Sequence, residues 1–164
     1  MPIYLPELNQ SNVSFPAVNT ALTDPDALLA FGADLSPQRL IKAYQQGIFP
    51  WFEQDQPILW WSPSQRMVIK PGTMHISRSL KKNLRRTPVR FTLNHAFEQI
   101  VTACAQPRHY SQDTWINARM QRAYTKLHEL GYAHSVEVWQ DDLLIGGLYG
   151  LSIGKMFCGE SMFH

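Results

Sequence analysis

Between residues 116 and 130, Ile116, Met120, Ala123, Tyr124, Leu127 and Leu130 recur at three- and four-residue spacing, and Gly131 follows. That period places the six side chains along one stripe of an α-helix, and the stripe must be buried against something. The next residues supply the partner. Ser135-Val136-Glu137-Val138-Trp139, a polar Asp141-Asp142 pair and an apolar run over 143–151 read as a β-hairpin. A further strand over 155–162 is expected after a turn at Gly154. Helices followed by hairpin-linked strands specify an α/β (α+β) chain with a mainly antiparallel sheet.

Upstream, residues 1–20 are rich in Pro and Asn and read as an irregular arm. Residues 36–47 predict a short helix, with Ser36 as N-cap, Pro37 in the first turn and Gly47 as the stop. Residues 66–70 predict a strand, 79–86 a basic helix and 89–93 another strand. Asn94 is positioned to cap a helix running to Cys104, with Ala96, Phe97, Ile100 and Val101 on its apolar face.

Three of the five tryptophans fall between Pro50 and Trp61, within Gly47-Ile48-Phe49-Pro50-Trp51-Phe52 and Pro57-Ile58-Leu59-Trp60-Trp61-Ser62-Pro63. Pro50 forbids a helical continuation from Phe49, so these aromatics ride on extended backbone. Rigid aromatic area either walls a pocket, seals a seam between lobes or fills a core. Tyr44 lies one helical turn before them, paired with Leu40 at i,i+4.

With 164 residues and 45% hydrophobic content, the chain can bury one sizeable core with a small appended lobe. No apolar run approaches the ~18 residues of a membrane span. Met1-Pro2-Ile3-Tyr4-Leu5-Pro6-Glu7 lacks the pattern of a secretion signal. Cys104 and Cys158 form no CxxC or Cys/His cluster and read as buried thiols of a reducing, cytoplasmic compartment.

The net charge of +2 hides a segregation. Residues 1–55 carry Arg39 and Lys42 against six acids, and 98–164 carry five basic residues against seven acids. Between them, 56–97 contains no Asp or Glu and holds Arg66, Lys70, Arg78, Lys81, Lys82, Arg85, Arg86 and Arg90. A solvated helix face explains the cations but not the exclusion of every acid. A polyanion footprint explains both.

Three familiar patterns fail. Gly150-Leu151-Ser152-Ile153-Gly154-Lys155 has three residues between its glycines, no hydroxyl after the lysine and no following helix, so it is not a phosphate loop. Gly159-Glu160-Ser161-Met162-Phe163 lacks the closing glycine of a nucleophile elbow. On a strand, His134 points away from Ser135 and Glu137, so no triad converges there. Glu160 ends an apolar strand and must face water, an ion partner or a cleft. Tyr124 fits both the helix's core stripe and a site.

The ordered set Gly32-Ala33-Asp34-Leu35-Ser36-Pro37, Gly47 to Phe52, Pro57 to Pro63, His75-Ile76-Ser77-Arg78-Ser79, Thr114-Trp115-Ile116, His134 to Trp139, Gly146-Gly147-Leu148-Tyr149-Gly150 and Phe157 to Phe163 resembles the leucyl/phenylalanyl-tRNA–protein transferases. It covers nearly the whole chain, and no generic motif produces it. The resemblance implies transfer of Leu, Phe or Met from aminoacyl-tRNA to a protein with N-terminal Arg or Lys, which marks that protein for degradation. It implies a small N-terminal domain, 1–64, and an acyl-CoA N-acyltransferase-like domain, 65–164. It assigns Tyr44, Trp51, Trp115, Tyr124, Phe157 and Glu160 to the aminoacyl-adenosine site, and Leu148 and Met162 to the side-chain pocket. The basic block becomes the tRNA-binding flank, and no cofactor, metal, membrane or oligomer is implied.

Two departures are visible. Asp113 stands where the family has Gly. The family also continues past Phe163 with Ser-Arg and several dozen residues, including an Asp and a Gln proposed to act in peptide-bond formation. The chain is therefore read as truncated, with its directly acting groups beyond His164. A non-catalytic tRNA-binding fragment and an acyl-CoA-dependent N-acyltransferase remain as alternative readings.

Overall fold

The computed structural model describes residues 4–106 and 114–164, so Asp113 lies outside the described residues. Among the described residues, eight strands form two four-stranded sheets that share one apolar core with four α-helices. The first sheet has the order β1 (Glu7–Leu8), β2 (Leu28–Gly32), β4 (Leu59–Trp61), β3 (Phe49–Pro50), and only the β1–β2 pair is parallel. The second sheet is antiparallel throughout: β5 (Arg90–Leu93), β6 (Ala133–Gln140), β7 (Leu143–Ile153) and β8 (Met156–Phe163). The expected mixed fold with a mainly antiparallel sheet is present. Among the described residues no helix is long and apolar enough to cross a membrane.

The stripe of α4 (Ala118–Glu129) does what its spacing predicts. Met120, Ala123, Tyr124 and Leu127 are buried, while Leu130 falls past the helix end and is 49% exposed. Asn117 caps the helix, its Oδ1 accepting from the backbone N–H of Arg119 (3.0 Å) and Met120 (3.1 Å). Gly131 closes it at φ +80°, a left-handed conformation that glycine adopts without strain. Between α3 (Phe97–Cys104) and β7 the approach is close. A Cβ on Gly147 would overlap Ile100 Cδ1 and lie 2.8 Å from Val136 O.

Three local expectations are corrected. Residues 66–70 form no strand, because no neighbouring strand is there to pair with them, and Met67 is 96% exposed. Ser36 precedes α1 (Pro37–Gln45) but makes no side-chain cap. Asp34 Oδ1 accepts from the Ser36 N–H instead, at 2.8 Å. Asn94 does not cap α3. It sits at φ +57° and is drawn to β6, accepting from the Ser135 N–H at 3.0 Å and meeting His134 Nδ1 at 3.0 Å.

The N-terminus of α3 is instead served by Glu137, which is fully buried. Its carboxylate accepts from Ser135 Oγ and Thr92 Oγ1, both at 2.5 Å, and from the backbone N–H groups of His95 and Ala96 at 3.4 Å. Burial pushes its pKa up, but the four donors outweigh burial and hold it below the ordinary value. Ser135 and Glu137 thus share a structural role, and His134 points the other way, as strand alternation requires.

Candidate aminoacyl site

The centre of the molecule holds three oxygen-bearing side chains from three elements. Tyr44 comes from α1, Tyr124 from α4 and Glu160 from β8. Tyr44 Oη donates to Glu160 Oε1 at 2.7 Å, Tyr124 Oη donates to Glu160 Oε2 at 2.9 Å, and the two hydroxyls are 2.6 Å apart. Tyr149 of β7 closes the group from below, its ring edge-on to Tyr124 at 5.5 Å.

Glu160 reaches this point through a β-bulge. Tyr149 pairs with Ser161 and Gly150 pairs with Gly159, so Glu160 is the extra residue of β8 with no partner on β7. A bulge re-aims one side chain without ending the strand. Here it turns a carboxylate inward, onto two helices.

Burial raises the pKa of Glu160 from 4.5 to about 6, although both tyrosine hydroxyls and the Arg66 guanidinium pull it down. Burial, followed by the charge of Glu160, pushes Tyr44 and Tyr124 well above the ordinary tyrosine value, so both remain donors.

Beside this cluster lies a pocket of about 660 Å³, lined in part by residues of β8, which is an edge strand among the described residues. Tyr44, Ile48 and Phe49 line one part, Met67, Val68 and Ile69 another, and Met156, Phe157 and Cys158 a third. Arg66 lies at this pocket with its guanidinium over the Phe49 ring, 4.9 Å from the centroid. The Phe157 ring packs against Gly150, where a Cβ would meet Phe157 Cζ at 2.7 Å.

Tyr44, Tyr124 and Glu160 are therefore brought together in one cluster, and Phe157, which pairs with Ser152 on the outer face of the sheet, lines the pocket beside it. Trp51 and Trp115 are not part of that pocket's lining. Trp51 is 50% exposed and packs edge-on against Trp61 at 5.4 Å, and Trp115 is half-buried against the core. Trp60 is a core residue, fully buried and donating through Nε1 to Gly32 O at 3.0 Å. Leu148 and Met162 are register partners, but they stand on the outer face of the sheet in a row with Val136 and Leu93. The Glu160 carboxyl lies on the inner face.

Two family models match the chain. One, for the leucyl/phenylalanyl-tRNA protein transferase, covers residues 68–164, and one for its N-terminal domain covers residues 33–64. The chain belongs to the leucyl/phenylalanyl-tRNA protein transferase family. A transferase of that name from Tolumonas auensis is 62% identical over 164 residues, 100% of this chain and 70% of the relative. Those from Psychromonas ingrahamii and Cellvibrio japonicus are each 58% identical, over 99% and 97% of this chain and 68% of each relative. The cluster, the bulge and most of the pocket wall lie within the matched residues.

The basic block divides in space. Lys70, Arg78, Lys81, Lys82, Arg85 and Arg86 are exposed, most of them on α2 (Arg78–Arg86), whose N–H of Leu80 is capped by Ser77 Oγ at 3.2 Å. Arg90 stacks on Trp139 at 5.3 Å, on the edge strand β5. Arg66 alone of the block belongs to the pocket. Sequence reasoning missed a second cationic face: Arg119, Arg122 and Lys126 line a groove with Asp34, and Arg119 stacks on Phe52 at 5.0 Å. Their i,i+3 and i,i+7 spacing on a strongly periodic helix was the available signal.

Proposed function

We propose that this protein acts on the aminoacylated 3′ end of a tRNA and passes its Leu, Phe or Met residue to the α-amine of a protein beginning with Arg or Lys, marking that protein for degradation in the cytoplasm. The observation that carries this reading is the Tyr44–Tyr124–Glu160 ring beside an apolar pocket, inside a chain whose family bears that activity in its name. The residues divide into an N-terminal lobe over 1–64 and a second over 65–164. The two sheets and the two family matches support that boundary.

The reaction needs positioning more than activation. The ester on the tRNA is already reactive, and the attacking α-amine has a pKa of roughly 7.7–8.0, so a neutral fraction exists near pH 7. The nitrogen bonds to the ester carbonyl carbon, the carbon–oxygen bond to the ribose breaks, and the amine's proton ends on the departing hydroxyl. Tyr44 and Tyr124 are fixed donors, and Glu160 accepts from both, so the wall of the site is polar and pre-oriented where the ligand arrives. Trp51, Trp115 and Phe157 offer stacking area for the terminal adenine, worth ~1–3 kcal/mol per base. Leu148 and Met162 stand on the outer face of the sheet and offer apolar contact only to a side chain that reaches that face, whereas Ile48, Phe49, Val68 and Ile69 form the apolar wall beside Tyr44 that disfavours charged side chains by desolvation. The cations of α2 hold RNA backbone without reading sequence.

The test measures two things on the same protein: binding of Phe-tRNA, and transfer of labelled Phe or Leu to an Arg-led peptide. Binding of charged over uncharged tRNA supports the site, and peptide labelling supports the chemistry. Equal affinity for charged and uncharged tRNA would overturn the assignment of the ring and pocket. Binding without transfer would favour the second reading, an RNA-binding chain without catalysis. An acyl-CoA reading finds no support in the fold, since Gly150–Lys155 runs along β7 into the β7–β8 turn with no helix after it.

A further inference from the structure

The pocket is apolar on most of its wall, yet two cations from separate parts of the chain share its lining: Arg66, just after β4, and Lys155, in the turn between β7 and β8. Arg66 is not simply the first member of the cationic flank. Its guanidinium carbon lies over the Phe49 ring, 4.9 Å from the centroid, a contact that helps hold the side chain at the pocket. Among the described residues neither Arg66 nor Lys155 makes an ion pair. Glu160 takes its hydrogen bonds from Tyr44 and Tyr124, and the Arg66 charge favours its ionised form through space.

A cation stacked at the rim of an apolar pocket and left without a carboxylate is arranged for a ligand that is apolar in its body and anionic at one end. An aminoacylated nucleotide has that shape: a ring and an apolar side chain, with one phosphodiester where the terminal nucleotide joins the rest of the strand. We propose that Arg66 and Lys155 form a phosphate subsite that receives the 5′-phosphate of the terminal nucleotide and so sets how deeply the aminoacyl end enters. The inference rests on the function proposed above and adds to it a specific anchor, separate from the diffuse cations of α2. Arg66 gives two directional donors to one phosphate, and Lys155 gives a point charge.

The probes are 3′-(phenylalanylamino)-3′-deoxyadenosine, whose amide resists hydrolysis, and the same compound carrying a 5′-phosphate. Binding to the full chain is followed by tryptophan fluorescence. The unaltered protein is expected to prefer the phosphorylated probe by about tenfold, the scale of one charge-assisted contact. In Arg66→Ala that preference falls to within about twofold of unity. Lys155→Ala is expected to lose part of the preference, and Arg66→Lys to keep part of it. Both residues are exposed, and unchanged circular dichroism verifies folding.

An unaltered protein that binds both probes equally overturns the subsite and leaves the aminoacyl reading standing. If Arg66→Ala weakens both probes alike, Arg66 is a wall residue and the subsite fails. Binding of neither probe by the unaltered protein overturns the aminoacyl reading and the subsite with it.

Discussion

Glu160 and Glu137 are two carboxyls of one sheet whose surroundings push them in opposite directions. Glu160 has a folded pKa of about 6 against 4.5 in the unfolded chain. The native state therefore holds its proton more tightly, and the resulting stability is full below pH 4.5 and lost as pH rises through about 6. A displacement of this size corresponds to about 2 kcal/mol. Glu160→Gln removes that pH dependence, so the variant should gain about 2 kcal/mol on the parent between roughly pH 4.5 and 7.5 in urea unfolding. A pH-independent difference would mean that the ring does not titrate as its geometry requires. For Glu137 the sign reverses. Its pKa is lowered, so its stabilisation is present above pH 4.5 and disappears as pH falls through the folded value. Glu137→Ala orphans four donors and should cost about 3 kcal/mol at pH 7, measured by chemical denaturation.

At the scale of elements, the inner face of the second sheet is closely packed at Gly147. The α3 helix rests on β7 at Gly147, and the partners of that glycine, Glu137 on β6 and Phe163 on β8, share its face. Gly147→Ala places a methyl against Ile100 and the Val136 carbonyl and should cost roughly 1–3 kcal/mol by thermal or urea unfolding. Ile100→Val in the same background makes room and should recover part of that stability. No recovery would show that the backbone of Val136, not the side chain of Ile100, sets the penalty. The outer face has the contrary character. Leu93 and Met162 are 66% and 60% exposed, so the row they form with Val136 and Leu148 offers apolar area to whatever approaches the sheet from that side.

For the whole molecule, charge is separated by distance from the centre. The α2 cations stand on an exposed helix, while Arg66 and the Glu160 ring sit at the pocket. Long-range attraction of a polyanion and short-range recognition of its end are thus given to different residues. Replacing Arg85 and Arg86 together with Ala should weaken charged and uncharged tRNAs by the same factor. It should also reduce the salt slope of binding by up to about 2, near 0.9 for each phosphate that is no longer neutralised. An unchanged slope would remove α2 from the RNA-binding surface.

Much of this was legible in the amino-acid sequence because it depends on neighbours along the chain. The α4 stripe, the β6–β7–β8 hairpins and the basic α2 helix all follow from local period and turn chemistry. So does the family, since its residues recur in order. The arm over 1–20, expected to be irregular, contains the short strand β1, which only its pairing with β2 creates. Tertiary structure decided what depends on distant partners. Residues 66–70 are apolar enough for a strand, but a strand exists only where another offers its hydrogen bonds. Asn94 was drawn from helix capping by a strand some 40 residues later, and Trp60 went to the core while Trp51 stayed half-exposed. Glu160 meets two tyrosines only because one residue of β8 finds no partner on β7, and a pairing register is a property of two chain segments at once.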